Sequence, residues 1–114
     1  MMKSNELRIG NFVLQDNELI AGIVSNTLHK FSIGQIYLQP IPLTEEWLLK
    51  LGFERQENNW KTLNLHFATI SWERLAGTAL SFEKESIYLP HIKFIHQLQN
   101  LYFTLTGEEL TIKP

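Results

Sequence analysis

Hydrophobic positions between Leu7 and Leu38 recur with period two in short pieces. Phe12 and Leu14 share one side, and Leu19, Ala21 and Ile23 oppose Ile20 and Val24. A half-buried strand requires this alternation, because successive side chains leave the pleat on opposite faces. Turn residues at Asp16-Asn17, Ser25-Asn26 and Gly34-Gln35 divide the run. The pattern therefore predicts four short strands, the third carrying Phe31 and Ile33 and the fourth Ile36 and Leu38. Together they make an N-terminal antiparallel meander over residues 7–39. Gly10 ahead of Asn11-Phe12-Val13 suits the opening strand of an SH3-like partial barrel as well as it suits a plain meander.

Gln39-Pro40-Ile41-Pro42 reads as a connector, since proline has no amide proton to give a central strand. A short helix over residues 45–51 follows. Thr44 is its N-cap, Glu45 and Glu46 complement the helix dipole, Leu43 and Leu48 form a staple, and Gly52 stands just past the end. Two turns do not persist alone, so the helix needs a larger partner. Strands at Phe53–Arg55, Trp60–Leu63, Leu65–Trp72, Thr78–Phe82 and Ile87–Leu89 supply one as an antiparallel sheet, with turns at Asn58-Asn59 and Leu75-Ala76-Gly77. The apolar phase slips between Phe67 and Ala68, which implies a bulge or a strand buried on both faces.

A long, buried C-terminal helix is predicted over residues 92–105, stopped by Gly107. At 100° per residue, Phe94, Ile95, Leu98, Leu101, Tyr102 and Leu105 gather on one side. His96, Gln97 and Asn100, beside Phe103, form a polar, uncharged strip expected in solvent or against a partner. Gln99 projects into the apolar arc, so its amide is expected to be buried and bonded to backbone. Leu110-Thr111-Ile112 reads as a last edge strand. The fold class is α+β, a single domain over 1–114, with sub-structures at 7–39 (meander or barrel) and 43–112 (helix, sheet, helix).

With 114 residues, 44% hydrophobic and 19% charged, the chain has the composition of one folded domain. The absence of cysteine excludes disulfides, thiolate metal sites and cysteine nucleophiles. The formal charge of −2 is spread along the chain rather than gathered, so nothing draws nucleic acid electrostatically. The polar opening Lys3-Ser4-Asn5-Glu6 has no apolar run behind it, and no window approaches the roughly 18 apolar residues of a membrane span. Neither a signal peptide nor membrane association is expected, and the cytoplasm is the expected location.

Candidate chemistry is sparse. His91 and His96 are five apart, whereas two ligands on one helix face are four apart, and His29 and His66 lie in other elements. Glu83 and Glu85 share a face only if their strand runs through Lys84; Glu45-Glu46 serve the helix dipole and Glu108-Glu109 a turn. No Gly-x-Ser-x-Gly elbow and no phosphate-cradling glycine loop occurs. No catalytic residue, metal site or cofactor is assigned, and an enzyme is not expected.

Three blocks stand together: Glu6-Leu7-Arg8-Ile9-Gly10-Asn11; Pro40 to Lys50 with Gly52-Phe53-Glu54; and His96 to Phe103 with Leu105 to Leu110. In these blocks the chain resembles a family of short uncharacterised proteins encoded in prophages and other mobile elements of gut bacteria. The resemblance implies an accessory gene product made inside a bacterium and carries no catalytic or binding residues with it. The function expected is that of a non-catalytic binding module acting on a host or phage protein, through His96, Gln97, Asn100 and Phe103. The alternative is single-stranded nucleic-acid binding on a small β-barrel surface.

Overall fold

The structure, a computed structural model, describes residues 2–113. It is α+β. Two antiparallel sheets, of two and five strands, are accompanied by three α-helices among the described residues. The elements are β1 (Phe12–Gln15), β2 (Glu18–Ala21), α1 (Ser25–Ser32), α2 (Glu45–Lys50), β3 (Glu54–Arg55), β4 (Lys61–Asn64), β5 (Thr69–Glu73), β6 (Gly77–Ser81), β7 (Ser86–Tyr88) and α3 (Ile95–Thr106). Two compact units can be distinguished. One contains the chain up to Pro42 together with Phe94–Glu109; the other contains Leu43–Lys93 and the chain from Leu110 onward. Helix α3 falls in the first unit with β1 and β2.

In the first unit, β1 and β2 form a hairpin in which Gln15 faces Glu18. Asp16 and Asn17 both take positive φ, as a two-residue turn matched to strand twist demands. The third expected strand is instead a helix. Leu28 and Phe31, three apart, pack on the core of Met2, Leu7, Val13, Ile23 and Leu38, whereas the Phe31/Ile33 alternation would have placed Ile33 there and leaves it exposed. Gly34 ends this helix. At φ +79°, its N–H donates to Phe31 O and that of Gln35 to Lys30 O, a Schellman pair rather than a hairpin turn. The fourth strand shrinks to a single bridge between Leu14 and Gln39, and no barrel closes among the described residues.

In the second unit, Thr44 Oγ1 accepts from Trp47 N–H at 3.3 Å, capping α2. Gly52 at φ +98° ends it, with Gly52 N–H on Leu49 O and Phe53 N–H on Leu48 O. The helix packs on β4. Strands β3 to β7 follow as a simple meander in sequence order. Burial alternates along β5: Ile70 and Trp72 are buried, while Thr69, Ser71 and Glu73 point the other way. The phase slip at Phe67 and Ala68 is a turn, closed by Leu65 N–H on Ala68 O, so β5 starts only at Thr69. Leu110 to Ile112 form no strand, and Lys113 N–H bonds Lys50 O.

Helix α3 starts three residues later than its pattern suggests. Phe94 is extended and bridges Pro42, and Ile95 N–H donates to Ile41 O, which holds residues before Ile95 out of the helix. No helix among the described residues is long and apolar enough to cross a membrane.

The two ends of α2 carry a direct prediction. Thr44→Ala is expected to lower the unfolding free energy by about 1 kcal/mol. Gly52→Ala, which forces a side chain into positive φ and sets its Cβ 2.8 Å from Lys113 Cε, is expected to cost about 1–2 kcal/mol. Urea midpoints at unchanged m-value measure both, and unshifted midpoints would contradict these roles.

Candidate functional site

The strip on α3 does not form one outward face. His96 and Gln99 are fully buried, and Phe103 is 38% exposed. Gln97 Oε1 accepts from Phe94 N–H at 3.1 Å, serving the start of its own helix. Asn100 turns toward the N-terminal segment: Oδ1 accepts from Asn11 Nδ2 at 2.9 Å and Arg8 Nε at 3.1 Å, while Nδ2 donates to Glu6 O at 3.0 Å. Solvent exposure is not found for His96, which is fully buried, and Asn100 is half-buried because donors and acceptors far away in sequence bond it.

Those partners complete a polar network. Gln99 Oε1 accepts from Phe12 N–H at 2.7 Å, and its Nε2 stands 3.5 Å from Gly10 O, so the amide meets backbone at the start of β1. The Arg8 guanidinium lies 4.1 Å over the Phe103 ring and pairs with both carboxylate oxygens of Glu109. Charge, stacking and amide bonding are thereby consumed within the unit, which leaves this helix face little to offer a partner.

His96 is the exception. Neither ring nitrogen has a hydrogen-bond partner among the described residues, and Nε2 is 3.6 Å from Glu6 Oε1, outside bonding distance. Its ring stacks beside Phe94, with centroids 5.9 Å apart. Both side chains line a cleft of about 500 Å³ with Met2, Glu6, Tyr37 and Leu38. Burial pushes the His96 pKa below its ordinary value, against the opposing pull of the Glu6 carboxylate. The imidazole is therefore held neutral. No group of three His, Asp or Glu side chains converges among the described residues. Glu83 and Glu85 lie in the β6–β7 turn, where Phe82 N–H bonds Glu85 O, so no strand carries them on one face.

The second unit holds a larger feature. The strand register places Thr62, Ser71, Ala79 and Tyr88 in one row across the open side of the sheet, and Asn64, Thr69, Ser81 and Ser86 in the next. Small side chains occupy the middle of each row. Trp60, Gln56 and Tyr88 stand taller at the sides, and the result is a hollow of about 620 Å³. No charged residue and no histidine lines it. Glu54 shares the first row through its pairing with Thr62 but lies outside the lining. Glu73 is occupied at the hairpin, where its carboxylate accepts from Leu75 and Ala76 N–H; those bonds lower its pKa. The sequence signal for this surface was present in the alternating small polar residues of β4 and β5, Thr62/Asn64 and Thr69/Ser71.

No family model, curated protein or solved structure matches the chain.

Two outcomes test the α3 geometry. Gln99→Leu removes the partners of Phe12 N–H and Gly10 O in a buried place and is expected to cost about 1–3 kcal/mol, read from the urea midpoint; a neutral substitution would show that the amide is not holding β1. For His96 the sign follows from its depressed pKa. Above the unfolded value of 6.5 neither state carries the proton. As the pH falls below it, the unfolded chain binds a proton that the folded chain resists, and stability is lost. Between about pH 7.5 and 5 the melting temperature of the native chain is expected to fall more than that of His96→Gln. Parallel profiles would remove His96 as the cause.

Proposed function

We propose that the protein is a non-catalytic recognition module, a cytoplasmic accessory gene product of a mobile element, that holds a partner on the open face of the β3–β7 sheet. One observation carries this reading: a hollow of about 620 Å³, built on a five-stranded meander and lined only by neutral side chains. Sites of that volume are large enough to enclose a ligand-sized group. A surface without carboxylates, cations or imidazoles offers shape, hydrogen bonds and aromatic faces, which suit binding rather than proton transfer. The partner belongs to the bacterial host or to a phage, in keeping with the resemblance of the three sequence blocks.

The helix strip of His96, Gln97, Asn100 and Phe103 gives way to this face as the preferred surface, since Gln97 and Asn100 are bonded within the first unit and His96 is fully buried. Single-stranded nucleic acid is the weaker reading. It relied on a barrel surface, and the sheet face lacks the cations that phosphate binding uses.

Immobilised protein exposed to bacterial lysate tests the proposal. Native chain and a Leu75→Ser control, altered at an 85% exposed residue on the β5–β6 hairpin, are expected to retain the same component. Trp60→Ala with Tyr88→Ala is expected to lose it. Equal retention by the double variant, with its fold intact by circular dichroism, would move the binding surface elsewhere.

A further inference from the structure

We propose that the ligand of the open sheet face is a neutral oligosaccharide. The inference rests on the reading of that face as the binding surface and specifies its chemistry.

Charge narrows the class first. None of the lining side chains is ionised, and the nearest charge in the rows, Glu54, is negative. Polyanions such as nucleic acids or sulfated polymers would meet no cation and one like charge. A cationic partner would find one rim carboxylate and no counter-charge in the hollow. A neutral ligand loses nothing to this lining.

Polarity narrows it further. Apart from Ala79 the floor carries hydroxyls and amides, without the aliphatic anchors that protein interfaces bury at their centres. These groups are already ordered: Gln56 Nε2 donates to Thr62 Oγ1 at 2.8 Å, Thr69 Oγ1 to Asn64 Oδ1 at 3.0 Å, and the Ser81 and Ser86 hydroxyls lie 2.9 Å apart. Each hydroxyl keeps capacity to donate or accept a further bond, and short side chains lose little rotamer freedom when they do. A sugar presents the matching arrangement of hydroxyls around its ring edge.

The aromatic rims supply the remaining element. Trp60 flanks one side and Tyr88, 63% exposed, the other. A pyranose has flat C–H faces that pack on such rings, while its hydroxyls reach the polar floor. From β4 to β7 is three strand spacings, about 14 Å, so the hollow suits several linked sugars rather than one.

The test is a titration of the full chain with neutral oligosaccharides: malto-, cello- and N-acetylchito-oligosaccharides individually, then an array of neutral glycans, read by tryptophan fluorescence and calorimetry. Saturable binding of at least one is expected. Its affinity should be unchanged between about 0.05 and 0.5 M salt, because no ion pair forms. Trp60→Ala or Tyr88→Ala should weaken it roughly tenfold, with the melting temperature preserved. Binding to none of the glycans, binding indifferent to both substitutions, or salt-sensitive binding to oligothymidylate instead would overturn the proposal. The lysate component retained by the face separates the two claims. Retention abolished by periodate supports the glycan; retention abolished by protease and indifferent to periodate leaves the binding face standing and removes the sugar.

Discussion

A buried primary amide must be bonded on all sides or it destabilises what surrounds it, and Gln99, joined by the half-buried Asn100, imposes that requirement on the first unit. Their carbonyl and amino groups are met by Phe12 N–H, Gly10 O, Asn11, Arg8 and the backbone of Glu6. Directional bonds of this kind admit one register between α3 and the segment leading into β1, where apolar packing alone would tolerate sliding. Arg8 extends the same lock outward to Phe103 and Glu109. Two segments, Glu6 to Phe12 and Gln99 to Glu109, are thus the two halves of one network. Their residues are explained by architecture.

The second unit follows a different rule. Its sheet separates an inner face of Ile70, Trp72, Thr78 and Leu80 from an open face of neutral hydroxyls and amides, through strand alternation alone. Lys61 falls on the inner side, where its ammonium reaches Asn59 O at 2.8 Å and stands 3.8 Å from Glu45 of α2; Arg55, paired with it in register, bonds the same carboxylate. Both cations thereby lie on the helix side of the sheet, and Glu54 is the charge that the rows of the open side carry. The absence of charge in the hollow is a product of register.

Much of this was legible from residue types. The α+β class, the helix after Pro42, the hairpin turns at Asp16-Asn17, Asn58-Asn59 and Gly77, and the burial of Gln99 all follow from the pattern. The segment from Ser25 to Ser32 is ambiguous by pattern, because Leu28, Phe31 and Ile33 satisfy period three and period two in so short a window, and Gly34 stops a helix as readily as it turns a hairpin. His96 and Asn100 looked exposed for a related reason. A helical wheel ranks polar residues outward and has no knowledge of a guanidinium that bonds Asn100 or of a cleft wall that buries His96.

What the chain determined by itself are the features governed by residues within about five positions of one another: caps, Schellman endings, two-residue turns and the alternation of faces. Each depends on a backbone angle or a bond that the local sequence supplies. Tertiary structure decided which polar side chains are interior, since the partners of Gln99 and Asn100 lie 87 to 94 positions away. It also decided that small residues of four strands would line up between Trp60 and Tyr88. Strand register creates that hollow, and register is a property of strands brought together rather than of any one of them.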